Sequence, residues 1–423
     1  MHFWLLVEGE PLPTDYDKSR LHRMCSIAEI IHSRGHQVSL WSSTTNHRDK
    51  KVRSNKQLVT NYLPGYDVIL LDSPTYTSNV SFSRIIHNIK TAEQFKKIVA
   101  EGIIDAPDLI ITAYPAIELA KAGIEVARDL EVPSIVDVRD LWPDIFVEIL
   151  PRWIQFIAKL AVRPFEKKAR FIADNASSVI GITDEFTDWF EQKATNKFLN
   201  EKRSFPLSYK IEEINNNDKS DALKFWRDKG ITQDKDLFTI CLFGNLVDNA
   251  EIPLLVEAAK KIEADNIHNV RFVVCGVGNL LESLLYSSKD LQNFYLPGWV
   301  TKKQIRVLMQ MSNAGVLPYR SDRGFELSFP NKVGEYLSEG LPIISSINGV
   351  LSKFLESEDV GLTYKNNDVE GLVNSIYTIR DNKNLESNMR EKAKRVFNKK
   401  FNAETVYQDL ADYLENKTLS RYP

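Results

Sequence analysis

Lys332 and Glu335 lie one helical turn apart in the stretch Phe325 to Ser346, FELSFPNKVGEYLSEGLPIISS. The lysine supplies a full positive charge, and the glutamate can accept hydrogen bonds from sugar hydroxyls. Ahead of them Ser328-Phe-Pro-Asn-Lys is a polar loop with Pro330 at the mouth of a helix. Such a loop can hold an anion, because unpaired backbone N–H groups and the helix dipole converge there. Gly340 followed by Leu-Pro reads as a left-handed cap with a proline stop, and Pro342-Ile-Ile-Ser-Ser as a short buried parallel strand. The chemistry that fits is recognition of a diphosphate joined to a sugar.

A second constellation is Asp137-Val-Arg-Asp-Leu-Trp-Pro-Asp144, which follows the apolar strand Val132-Pro-Ser-Ile-Val. Charged groups at the carboxyl end of a buried strand lie where open α/β sheets bind ligands. Asp140 there can orient or deprotonate an attacking hydroxyl. Alternatively, Arg139 pairs with Asp137 or Asp144 and only braces the loop. Glycine turns close two further strands: Gly244 after Leu237 to Phe243, and Gly276-Val-Gly after Val270 to Cys275. Glycine at such a turn lets the backbone approach a phosphate.

Pro330-Asn-Lys, Glu335-Tyr-Leu and Gly340-Leu-Pro together resemble the donor-site signature of the retaining glycosyltransferases of family 4, which have the GT-B fold. The resemblance implies that Glu335 contacts the nucleotide ribose. The family's other glutamate, near the donor sugar, would fall at Leu327, with Glu326 one place off. Asp137 to Pro143 is similar to the run of members that assemble bacterial surface polysaccharides: Arg139 stands where others carry histidine, and Asp140 matches the aspartate facing the acceptor or transferred sugar. Catalytic candidates are therefore Asp140, Glu326 and Arg139. On the donor side are Gly244, Asn245, Gly276, Trp299, Val300, Arg320, Ser328, Pro330, Asn331, Lys332 and Glu335; on the acceptor side are Glu8, Glu10 and Trp142. Asn245 and Ala250 occupy positions where relatives place a diphosphate-binding arginine and lysine. Phosphates would then lean on backbone N–H groups, Asn245, Lys332 or Arg320. The glycines Gly276 and Gly278, and Gly298-Trp-Val, match further family segments, the last lying against the nucleobase in relatives.

These residues need a scaffold of alternating strands and helices, which the chain supplies twice. Strand, loop, helix, strand (Phe3 to Val7, Glu8 to Lys18, Ser19 to Ser33, Gln37 to Ser42) implies right-handed βαβ units and a parallel sheet. A polar stretch from Ala194 to Asp218 reads as the interdomain linker. The expected class is α/β: GT-B, two Rossmann-like domains whose parallel sheets face across a cleft. The expected acceptor-binding domain spans 1–195, with a helix over about 400–423 packing back on it, and the nucleotide-sugar-binding domain spans 205–399.

The chain's 423 residues fit two domains. A net charge of −3 argues against nucleic-acid binding. Cys25, Cys241 and Cys275 read as small buried residues in a reducing compartment. The opening Phe3-Trp-Leu-Leu-Val meets Glu8 almost at once and reads as a strand, not a signal peptide, so a cytoplasmic location is expected. Residues 150–168, LPRWIQFIAKLAVRPFEKK, are amphipathic and basic: either a peripheral contact with the inner face of the cell membrane or a core helix with snorkelling lysines.

By resemblance the function is that of a hexosyltransferase. A nucleotide sugar, in particular a UDP-sugar and with N-acetylated hexosamines among the candidates, donates with retention to a polyprenyl-diphosphate-linked saccharide in O-antigen, capsule or exopolysaccharide assembly. Without an Asp-x-Asp run near the donor loop, neither metal nor other cofactor is expected. The alternatives are a UDP-sugar 2-epimerase and a non-catalytic nucleotide-sugar-binding partner of an assembly complex.

Overall fold

A computed structural model describes residues 1–15, 21–54, 58–78, 81–148, 150–195 and 203–420. They form two compact units, Met1–Pro206 with Val406–Pro423, and Leu207–Thr405.

The first unit runs β1 (His2–Leu6), α1 (Arg23–Ser33), β2 (Gln37–Ser43), β3 (Leu58–Leu63), β4 (Tyr66–Leu71), α2 (Phe82–Ala100), β5 (Leu109–Tyr114), α3 (Ile117–Asp129), β6 (Ser134–Val138), α4 (Asp144–Glu148), α5 (Arg152–Asn175), β7 (Ser178–Gly181), α6 (Asp184–Glu191) and β8 (Arg203–Ser204). Its sheet has the order β3-β4-β2-β1-β5-β6-β7-β8. All neighbours are parallel except β3 and β4, an antiparallel hairpin that the sequence reading did not foresee. Strands such as Phe3–Leu6 and Ile110–Tyr114 are buried on both faces, which is why they read as unbroken apolar runs. Trp4, Trp41 and Phe95 pack edge to face between sheet and α2.

The expected helix start at Ser19 lies outside the described residues, as do Tyr16 to Lys18 of the preceding loop. Within them α1 begins at Arg23. Its N-cap His22 makes no side-chain cap. The buried Glu10 caps it from a distance, accepting N–H bonds from Met24 (3.0 Å) and Cys25 (3.2 Å). Residues 196–202 of the expected linker are also outside the described set. The remainder is more structured than a linker, with β8 extending the first sheet and a helix starting at Asn216.

The second unit runs α7 (Asn216–Asp228), β9 (Phe238–Phe243), α8 (Ile252–Ala264), β10 (Val270–Cys275), α9 (Leu281–Ser287), β11 (Phe294–Gly298), α10 (Lys302–Met311), β12 (Ala314–Leu317), α11 (Arg323–Glu326), α12 (Lys332–Ser338), β13 (Ile343–Ser345), α13 (Val350–Glu358), β14 (Gly361–Thr363), α14 (Val369–Asp381), α15 (Lys383–Val396), and a π-helical turn at Phe397–Phe401. The sheet order is β11-β10-β9-β12-β13-β14, all parallel. A final helix, α16 (Ala403–Leu419), belongs to the first unit from Val406 onward, where Arg34 binds Gln408, Asp412 and Glu415.

Candidate functional site

In the second unit the chain steps outward from β9 to β11, then returns to β12 on the other side of β9. Open α/β sheets bind ligands above such a reversal. At the carboxyl end of β9, Gly244 has φ +130°, and a Cβ there would lie 2.9 Å from Lys332 Nζ. Glycine thus lets the ammonium rest against the turn. Lys332 donates to Tyr319 Oη (2.6 Å) and lies 5.3 Å from that ring's centre. Gly276, after β10, has φ +145°, and any side chain there would strike the Gly244 carbonyl. Gly244, Gly276, Tyr319 and Lys332 therefore converge at the reversal point.

Around them, Asn245 and Arg320 are exposed, the Arg320 N–H bonding Asn249 O at 3.1 Å. Trp299 is 68 % exposed beside Gly298, so it is not a packing tryptophan, whereas Val300 is buried in the core and offers a ligand only its backbone. Glu326 ends α11 and accepts from Ser321 Oγ (2.7 Å); Ser328 Oγ donates to Gly324 O (2.7 Å). Pro330 and the exposed Asn331 lead into α12, which carries the half-buried Glu335.

Tyr336, fully buried, fixes α12 to the sheet: its hydroxyl lies 3.0 Å from Cys241 O and 3.3 Å from Val316 O. Sequence reasoning used Glu335 and passed over this anchor. Tyr336→Phe should lower the unfolding free energy of the second unit by about 1–2 kcal/mol in urea titration.

In the first unit the reversal lies between β1 and β5. Arg139, expected to be catalytic, pairs with Glu10 and sits 3.5 Å from Asp137; Asp137 also takes Arg23 Nε at 2.9 Å, with both of these side chains buried. Burial opposes the Glu10 charge, but Arg139 and the α1 N–H groups hold its carboxyl below the ordinary value. Burial likewise opposes the Arg139 charge, and Glu10 and Asp137 overcome it, raising its pKa. Arg139 thus pairs with Glu10 beside Asp137, and Glu10 also accepts from the α1 N–H groups, the bracing arrangement that the sequence offers as the alternative to a catalytic Arg139. Asp144, the other partner considered for Arg139, binds Lys193 (2.6 Å) and Trp189 Nε1 (2.8 Å) instead. Trp142 packs edge to face on Phe146 and Phe165.

Asp140 is different. The bond it accepts from Trp142 N is local (2.9 Å), and burial raises its carboxyl above the usual range, with that N–H and Arg84 opposing the shift. A carboxylate so desolvated is a better proton acceptor. Glu8 is raised for the same reason, with His87 Nε2 at 3.8 Å as the main counterweight. His47 bonds Tyr76, and burial together with nearby Lys50 and Arg84 pushes it down to about 4. Sequence reading missed His47, Lys50, Tyr76 and Arg84, which come from the loop after β2, the loop after β4 and the first turn of α2, with no shared spacing.

Among the described residues, no group of three His, Cys, Asp or Glu side chains is placed to hold a metal ion. No described helix is long and apolar enough to cross a membrane.

Residues 224–396 match the family model described as Glycosyl transferases group 1. The chain is 24% identical over 182 residues to a 2-deoxystreptamine N-acetyl-D-glucosaminyltransferase of Niallia circulans, covering 42% of this chain and 45% of the relative. It is 29% identical over 173 residues to the UDP-Gal:alpha-D-GlcNAc-diphosphoundecaprenol alpha-1,3-galactosyltransferase of Escherichia coli, covering 39% and 43%. Each match spans less than half of the curated relative. Over 98% of both chains the fold is similar to sucrose-phosphate synthase from Thermosynechococcus elongatus, at TM-score 0.67 and 15% identity. HepE of Anabaena in complex with UDP gives TM-score 0.65 at 14% identity, over 98% of this chain and 99% of that one. The two Rossmann-like units accordingly have the GT-B fold, and residues 224–396 carry the signature of the group 1 glycosyl transferases.

Proposed function

We propose that the chain is a retaining glycosyltransferase that moves a sugar from a UDP-sugar to a lipid-linked saccharide in bacterial surface-polysaccharide assembly. The observation that carries this reading is the Lys332 ammonium seated on the Gly244 turn at the strand reversal, within the segment that matches the family model. There it would neutralise the departing diphosphate, with Arg320 and Asn245 beside it, so the reaction needs no metal. Glu335 would hold the ribose, Trp299 the base, and Glu326 the donor sugar. Asp140 would take the proton of the attacking hydroxyl. The names of the matched relatives, one using UDP-Gal on a diphosphoundecaprenol acceptor and one transferring N-acetylglucosamine, support a UDP donor, a hexosamine among the candidate sugars and a lipid-linked acceptor. Such an acceptor calls for a cytoplasmic enzyme in peripheral contact with the membrane, and 150–168 is the segment suited to it.

The test is thermal shift with UDP-, GDP- and TDP-sugars. A ligand at a hundred times its dissociation constant stabilises by about 2.7 kcal/mol. A shift with UDP-sugars that falls at least tenfold in apparent affinity in Lys332→Met is expected, since a charge-assisted contact to phosphate contributes about 1.5–3 kcal/mol. A UDP-sugar shift without turnover would leave a non-catalytic nucleotide-sugar-binding partner, and no shift with any nucleotide would overturn the donor-site reading. Interconversion of the free UDP-sugar without acceptor would instead mark a 2-epimerase.

A further inference from the structure

Helix α5 has two apolar faces, and its own fold covers one. Ala158 and Val162 pack with Val147, and Ala169, Ile172 and Ala173 are buried further along. The other face stands in water: Trp153 is 80 % exposed, Phe156 71 %, Ile157 64 % and Leu160 41 %. Their spacing, i, i+3, i+4 and i+7, makes them one stripe. A contiguous aromatic and aliphatic stripe of this kind marks an interaction surface. Exposed Arg152, Lys159, Arg163, Lys167 and Arg170 flank it, with Glu166 the one acid between Arg152 and Ala173.

Helix α2 repeats the arrangement. Phe82 is 76 % exposed, with Ile86 and Ile89 on the same face, and no acid precedes Glu93. Both helices pack against α3 and so cover one face of the sheet. Both begin at the edge where the parallel strands end, because α2 follows β4 and α5 follows β6 through α4. Asp140 and Glu8, which follow β6 and β1, are at that same edge.

We propose that the amino-terminal ends of α2 and α5 dock on an anionic lipid bilayer and bring the Asp140 edge of the first unit to the membrane surface. A bilayer satisfies both features of this rim. Tryptophan, phenylalanine and isoleucine enter the headgroup boundary, and the cations meet acidic lipid. A second copy of the chain fits poorly, since a two-fold contact through the stripe would bring the α5 cations of both copies together. The link to a lipid-linked acceptor rests on the function proposed above; the docking itself does not.

The test is flotation of the intact protein with vesicles of phosphatidylcholine alone and of phosphatidylcholine mixed with phosphatidylglycerol, at low and high salt. Wild type should partition onto the mixed vesicles, less onto neutral ones, and less again at high salt. The double variant Phe156→Glu, Ile157→Glu should lose about tenfold or more in partition, while Phe82→Glu should lose a smaller factor. The changed residues are exposed, so circular dichroism and Tm should not move. Unchanged partition in the double variant, or partition indifferent to lipid charge, would overturn the proposal. So would self-association by analytical ultracentrifugation that the double variant abolishes, which would assign the stripe to a second copy. The UDP-sugar thermal shift keeps the two readings apart: vesicle binding without that shift defeats the donor-site reading and leaves the docking standing, while the shift without vesicle binding does the reverse.

Discussion

Asp137→Ala is expected to lower the unfolding free energy of the first unit by about 3–5 kcal/mol, the usual consequence of leaving a buried charge without its partner. Asp137 sits fully buried between Arg23 and Arg139, and Glu10 closes the network on the other side of Arg139. Two guanidinium groups and two carboxylates balance; removing one carboxylate strands a cation. Arg23 also donates to Phe205 O at 2.6 Å, so the network ties α1, β6 and the chain beyond β8 together. Trp4, Trp41, Trp142, Trp153 and Trp189 all lie in this unit, and tryptophan emission in urea would follow its transition. The paired replacement Arg23→Met, Asp137→Leu should recover about 1–3 kcal/mol of the loss, because no ion is then left alone. A single variant as stable as wild type would show that water reaches the network and that it does not brace the site.

Asp140→Asn should lower kcat by about 10²–10⁴-fold with little change in the thermal shift given by a UDP-sugar, as expected of a proton acceptor that does not bind the donor. The sign of the pH dependence follows from burial. The Asp140 carboxyl is raised above its ordinary 3.8, and in the proposed role of proton acceptor it has to be ionised. Wild-type kcat/KM should therefore fall as pH drops through that raised value, and the acid limb should vanish in Asp140→Asn. A variant that keeps the acid limb, or loses less than tenfold in kcat, would remove Asp140 from the chemistry.

Much of the scaffold could be read from sequence because the relevant interactions are local or periodic. Buried parallel strands such as Phe238–Phe243 and Val270–Cys275 are uniformly apolar, and their glycine turns mark where they end. Helix α12 announced itself through Pro330, Lys332 and the Gly340-Leu-Pro stop, all within one short stretch. The β3–β4 hairpin did not, since Leu58 to Leu71 contains a single Pro-Gly turn and no strict alternation. The capping of α1 could not be read locally, because Glu10 reaches its first N–H groups through the fold and leaves no trace among its neighbours.

By itself the sequence determined the two α/β repeats and the residue types that can hold a sugar nucleotide. Tertiary structure alone decided how the candidate residues are paired and buried. Arg139 and Asp140 are adjacent in the chain, yet one is consumed by Glu10 and Asp137 while the other is left desolvated with a local N–H. Lys332 and Gly244 are far apart in sequence, and only the reversal of strand order between β9 and β12 brings the ammonium onto the turn. Charge pairing and strand order are set by long-range contacts, which one-dimensional spacing does not encode.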